Sequence, residues 1–227
     1  MSPQPNILFL MSDEHRADVT GYEGNSVIRT PVLDKLANTG TVFRNAYAPS
    51  PICIPGRQCM MSGQLPLTCG CLQFGQDLPP KHMKFARRLA QAGYATVAAG
   101  KLHHVGTDQM QGWTRRIGSE MQISPWFIAD QDKPLDENAR KRFVEMKWSD
   151  TKEVKRAGIG RGPCITHDEY ALIGALDFID SFFNSPYYDR PGTPQPLLLN
   201  VSFLQPHYPY LTSEERFNYY LNRVDPY

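Results

Sequence analysis

The sequence predicts an α/β fold in which a mostly parallel sheet is flanked by helices. Short continuous apolar runs recur at residues 6–11 (NILFLM), 94–99 (YATVAA) and 196–203 (PLLLNVSF). Runs of that length read as strands covered on both faces, the condition of strands in parallel sheets. Helical patterns stand between them, so strand and helix alternate as they do in βαβ units.

Taken in order, residues 6–11 close on Ser12-Asp13, a polar pair at a strand's C-terminal end, where open α/β sheets bind their ligands. Thr30-Pro31 opens a helix through Asn38, with Val32, Leu33 and Leu36 on one face and Gly40 beyond its end. Residues 41–47 read as a short extended segment. The stretch 49–55 (PSPICIP) is too rich in proline for regular structure, but Pro55 suits the first position of a helix running to Met61 and stopped by Gly63. Cys53 then stands just before a helix N-terminus. Residues 83–92 form an amphipathic helix with a basic face, Gly93 ends it, and the strand that follows runs out at Gly100-Lys101. Residues 168–183 make a helix with Leu172, Ala175, Leu176, Ile179 and Phe183 on one face, and the strand 196–203 leads into Gln205-Pro206-His207. The stretch from 109 to 163 is richer in charge, Gly and Trp and weakly periodic, and reads as an excursion within one domain spanning 1–227. Three strands thus end beside side chains able to do chemistry: Asp13, Lys101 with His103, and His207.

The 227 residues are 41% hydrophobic and 21% charged, the balance of a globular chain with a real core. A formal net charge of +1 with scattered basic residues argues against nucleic acid as a partner. No run approaches the ~20 apolar residues that span a bilayer, so no membrane association is expected. The first six residues are polar with no basic lead into an apolar stretch, which points to the cytoplasm. Five cysteines cannot all pair within the chain and match no common zinc spacing; Cys59, Cys69 and Cys71 read as packing residues.

The segment Cys53-Ile54-Pro55-Gly56-Arg57 carries most of the chemistry. Unsatisfied amides at a helix N-terminus favour negative charge, and Arg57 adds a fixed cation four residues on. By itself this pattern fits a thiolate nucleophile, a phosphate cradle, or a turn around a buried cysteine. The cradle is the weakest of these, because Pro55 removes one of the backbone amides it would use.

The wider text resembles the type I sulfatases of the alkaline phosphatase superfamily, N-terminal portion. C-x-P-x-R is their signature, read by a maturation enzyme that oxidises the cysteine to formylglycine. Residues 6–13 look like their first strand and metal aspartate, residues 30–47 (TPVLDKLANTGTVFRNAY) like their next helix and strand, Gly100-Lys101-Leu102-His103 like a G-K-x-H element, and Pro206-His207-Tyr208-Pro209 like a P-H-x-P element. Ile54 and Gly56 depart from the small or hydroxylated residues usual at those positions, and Glu14 stands where the family has a second acidic or amide residue.

The resemblance implies an alkaline-phosphatase-like sulfatase fold and hydrolysis of a small-molecule sulfate ester. Asp13, Glu14 and the modified Cys53 would hold a divalent metal, Ca²⁺ before Mg²⁺ or Mn²⁺. Hydrated formylglycine is a geminal diol: one hydroxyl attacks sulfur, and the other later loses its proton so that the carbonyl reforms and sulfate leaves. Arg57 would stabilise the ionised diol and Lys101 bridge it to a sulfate oxygen. His207 would protonate the leaving alcohol, and His103 take the diol proton, with His104 the alternative if the register shifts by one. His15, His82 and His167 are expected at the surface, at caps or in the core, and Asp18 as a local hydrogen-bond partner. In the family a later strand completes the metal set and adds a basic residue; nothing after His207 supplies these, so the chain alone is expected to bind metal weakly and turn over little. Two alternatives stand beside this reading: a phosphonate monoester or phosphodiester hydrolase of the same superfamily, and a truncated, non-catalytic binding module. Association into a homo-oligomer stays open.

Overall fold

The computed structural model describes residues 4–118, 150–184 and 195–224. Its centre is a four-stranded sheet of β1 (Ile7–Ser12), β2 (Ala95–Gly100), β3 (Arg115–Ile117) and β5 (Leu197–Phe203), in the order β1-β5-β2-β3 with every neighbour parallel. A second, two-stranded parallel sheet pairs β4 (Gly158–Ile159) with β6 (Leu211–Thr212). The helices are α1 (Pro31–Thr39), α2 (Cys53–Ser62), α3 (Pro66–Cys69), α4 (Phe85–Gln91), α5 (Asp150–Lys155), α6 (Pro163–Asn184) and α7 (Glu214–Tyr220).

The central strand β5 is buried on both faces, and its alternation separates two cores. Leu197, Leu199 and Val201 pack with Val97, Ala99, Ala175 and Phe178 beneath α6. Leu198 points the other way, into the cluster of Ala98, Cys59, Met61, Ala86 and Trp113 beneath α2 and α4. Asn200 and Ser202 share that second face, a polar interruption at alternate positions of an apolar strand.

Several sequence expectations shift by a few residues for local reasons. The helix expected from Pro55 begins at Cys53, so Pro55 is its third residue, where its missing N–H still breaks no intrahelical bond. Gly63 ends it at φ 67, donating to the Cys59 carbonyl. Residues 41–47 form no strand, because no neighbouring strand pairs with them. The helix expected from Asp168 starts earlier, at Pro163. Of the expected excursion 109–163, the part from Arg115 to Ile117 is the edge strand of the main sheet, too short to leave a periodic signal, and α5 and β4 also fall within it; its residues 119–149 lie outside the described residues. Among the described residues no helix is long and apolar enough to cross a membrane.

Candidate active site

The sheet's ladder runs past the strands' ends and carries the site residues with it. Asp13 donates its N–H to the Phe203 carbonyl (3.2 Å) and Lys101 donates its N–H to the Ser202 carbonyl (3.0 Å). The first residues beyond β1 and β2 are therefore anchored to β5 in register. Gly100 permits this close approach: its φ is 84, and a Cβ there would lie 2.2 Å from the Ser202 carbonyl oxygen. Cys53, as the first residue of α2, brings the helix N-terminus to the same place.

Asp13 is the pivot. Its Oδ2 accepts from Arg57 Nη2 at 2.9 Å and lies 2.8 Å from Lys101 Nζ. Its Oδ1 is 3.8 Å from the Cys53 thiol, and Lys101 Nζ reaches that sulfur at 3.6 Å. Arg57 is tied on its other side, Nη1 donating to the Lys101 carbonyl (2.7 Å) and to Ser202 Oγ (3.0 Å). All three charged side chains are buried, at 7% exposure for Asp13, 6% for Arg57 and 4% for Lys101. Burial raises the Asp13 carboxyl, but Lys101 and Arg57 outweigh it and hold the group below its ordinary range.

Cys53 behaves otherwise than its place at a helix N-terminus suggests. Burial drives its thiol up, Asp13 and Glu14 add to this, and Lys101 with Arg57 only partly oppose them, so it lies above the ordinary thiol value. At neutral pH the sulfur is protonated. Of the readings the motif left open, the thiolate nucleophile is thereby disfavoured.

His207 comes from the turn after β5. Its N–H donates to the Leu204 carbonyl, its Nδ1 hydrogen-bonds the Tyr208 carbonyl at 2.8 Å, and its Nε2 lies 3.5 Å from Glu14 Oε1. Ligand atoms of Asp13, Glu14, Cys53 and His207 all fall within 4.8 Å of one another. Two ligands at the 2.3–2.6 Å typical of Ca²⁺ stand at most about 5 Å apart, so a single cation can touch this set. Two carboxylates favour a hard cation; the thiol is the misfit among them, and an oxygen in its place would complete an O-rich set.

His103 follows two residues after Lys101, at φ 57, with its ring edge-on to Phe74 (5.5 Å between centroids). Burial first, then Lys101 and Arg57, push its imidazole down to about 3, while Asp13 pulls the other way. It is a neutral imidazole coupled to the site's charges. His104 is buried elsewhere, with Nδ1 against the Gln109 carbonyl (3.2 Å). Glu14 shares the left-handed backbone of His103, at φ 53. A non-glycine residue there costs about 1–2 kcal/mol, and the two lie one residue after Asp13 and two after Lys101 in the chain.

Three contributors escaped the sequence reading. Ser202 holds Arg57, and the polar Asn200/Ser202 alternation inside an apolar strand was its signal. Asp168, the second, accepts the N–H groups of Leu204 (2.6 Å) and Gln205 (2.9 Å) and so fixes the turn leading to His207. The third, Asp77, does the same for the turn after Lys101, accepting from Val105 and Gly106. Neither aspartate has a sequence signal, because each meets its amides only through tertiary packing. Among the other residues, Asp18 pairs locally with Arg16, His15 bonds Ser12 Oγ and the Val19 carbonyl, His82 bonds Gln64, and His167 pairs with Asp168.

The Sulfatase family model matches residues 5–226. A choline-sulfatase of Rhizobium meliloti is 27% identical over 219 residues, 96% of this chain and 41% of the relative. The chain thus spans about two fifths of the length of that relative. Among solved structures, a phosphonate monoester hydrolase of Agrobacterium radiobacter superposes with a TM-score of 0.68 at 18% identity, over 99% of this chain and 45% of its own. A protein solved in complex with its substrate D-glucosamine-2-N,6-O-disulfate superposes at 0.67 and 20% identity, over 98% of this chain and 39% of its own.

Proposed function

Because the chain belongs to the sulfatase family, we propose that this site hydrolyses sulfate monoesters, with Cys53 matured to formylglycine and a divalent cation held by Asp13, Glu14 and residue 53. The observation that carries the reading is the place of Cys53: a half-buried thiol at a helix N-terminus between Asp13 and Lys101, held above its ordinary ionisation range by desolvation. The position suits a nucleophile and the sulfur does not. Oxidation to an aldehyde, hydrated to a diol, replaces it with oxygen and gives the nucleophile a way to release what it has bound. Ca²⁺ is the cation best matched to the oxygen donors, with Mg²⁺ or Mn²⁺ the alternatives.

A bound divalent cation would supply the positive charge that favours the ionised form of an oxygen nucleophile. The chain's own residues do the rest. Arg57, braced by Asp13, Ser202 and the Lys101 carbonyl, cannot swing away and keeps its charge beside residue 53. Lys101 Nζ, between Asp13 and residue 53, is placed to meet an ester oxygen as charge builds on it. His207 Nδ1 donates to the Tyr208 carbonyl, which turns Nε2 into the site, where a proton held on it can pass to the leaving alcohol. His103, neutral and half-buried, is the acceptor of the proton whose loss expels sulfate.

The test is the mass of the Cys53 peptide after co-expression with a formylglycine-generating enzyme. Conversion lowers it by about 18 Da relative to the thiol. An unmodified thiol would defeat the catalytic reading in favour of a binding module on the same fold. A phosphonate monoester or phosphodiester is the second reading, because either carries the single negative charge of a sulfate monoester and makes the same demand on Arg57 and Lys101.

A further inference from the structure

Past Gly100 the chain runs through Lys101, His103 and Gly106 without regular structure, yet His103 keeps a left-handed backbone. Such a conformation persists only where the surroundings over-determine it. Asp77 supplies much of that hold. Its Oδ2 accepts the N–H of Val105 at 3.1 Å and of Gly106 at 2.7 Å, and its Oδ1 accepts from Gln111 Nε2 at 2.9 Å. Gln111 Nε2 also reaches Gln58 Oε1 (3.2 Å), which in turn accepts the Leu78 N–H (3.2 Å). Gln58 follows Arg57 on α2, so one buried polar chain links the helix of residue 53 to the turn of His103. Three residues before Asp77, Phe74 packs edge-on to the His103 ring. A single short segment therefore grips the turn at the imidazole and again at its far end.

Stability alone does not account for a carboxylate here. Burial pushes the Asp77 carboxyl up to about 6, against the opposing pull of the Gly106, Gln111 and Val105 hydrogen bonds and the charge of Lys84. Lys84 itself is engaged by Asp108 and by the Pro79 and Pro80 carbonyls. At neutral pH the ionised group is therefore a cost to the fold, and costs of that kind collect where a site needs geometry.

We propose that Asp77 is the positioning residue that fixes the His103 turn against the nucleophile helix. The proposal rests on the sulfatase reading only for the proton-accepting role given to His103. It is tested on the thiol form of the chain by amide exchange and by the ring-proton resonance of His103, in Asp77→Ala, Asp77→Asn and the far-face core variant Phe178→Leu. In Asp77→Ala, exchange at Val105 and Gly106 rises at least about 10-fold more than at β5 amides, as loss of a charge-assisted bond implies, and the His103 resonance loses the shift imposed by Phe74. Asp77→Asn restores both: its oxygen can face the two amides, and once the Gln111 side-chain amide turns over, its NH₂ can meet Gln111 Oε1, an acceptor left without a hydrogen bond among the described residues. Phe178→Leu moves the turn and the sheet together. Should the alanine variant not fold, Asp77→Ser serves, since its hydroxyl is too short to span both amides. Turn amides that track the sheet in Asp77→Ala, or an unmoved His103 resonance, would overturn the proposal. Neither readout needs an aldehyde, a cation or turnover, whereas failure of the sulfatase reading shows in the mass of the Cys53 peptide.

Discussion

Replacing Asp13 with Asn keeps the side chain's shape and removes the charge on which two buried cations converge. Arg57 and Lys101, with side chains 6% and 5% exposed, would then share a site whose nearest remaining carboxylate, Glu14, is 42% exposed. Removing one partner of a buried ion pair costs about 3–5 kcal/mol, and the partial screening by Glu14 and solvent places this case near 3. With urea slopes of about 1–3 kcal/mol per molar for small proteins, the unfolding midpoint at neutral pH should fall by roughly 1–3 M. The sign of the pH dependence follows from Asp13 itself. Its folded value lies below the ordinary 3.8, so its contribution is fully present above that pH and is lost as the pH falls through the folded value. Wild type and Asp13→Asn should therefore converge in acid, below about pH 4. Added Ca²⁺ should stabilise the wild type and leave the variant unmoved, since only one of them retains the central ligand. Coincident midpoints at neutral pH, or a gap that persists unchanged into acid, would refute the electrostatic account.

Asp168→Ala should release the Leu204 and Gln205 amides, destabilise by about 1.5–3 kcal/mol, and raise exchange at residues 204–207 more than across β1; uniform exchange would count against it. Lys101→Met should slow alkylation of Cys53 by iodoacetamide and move its pH midpoint upward, because the ammonium is the strongest influence lowering that thiol; peptide mapping separates Cys53 from Cys59, Cys69, Cys71 and Cys164, and an unchanged midpoint would contradict the geometry. Asp77 binds a proton more tightly folded than unfolded, about 6 against 3.8, so global stability should fall by roughly 3 kcal/mol between those pH values as the pH rises. Urea titrations of Asp77→Asn should lack that fall, and an identical slope in both proteins would remove Asp77 as its cause.

The parts of the site legible in the sequence are those that a strand end or a helix start presents directly. Asp13 and Lys101 are the first residues past β1 and β2, and Cys53 opens α2, so an apolar run followed by a polar residue was enough to bring them to notice. The partners of the supports were not legible. Ser202 lies inside a strand, Asp168 within a helix and Asp77 in an irregular stretch, and each meets its partner across 28 to 145 residues of sequence. A pattern along the chain records which face a residue takes and not what waits there. The thiol of Cys53 shows the same limit, since the local rule of a helix N-terminus and a nearby arginine was outweighed by burial and by two carboxylates brought in from β1's end.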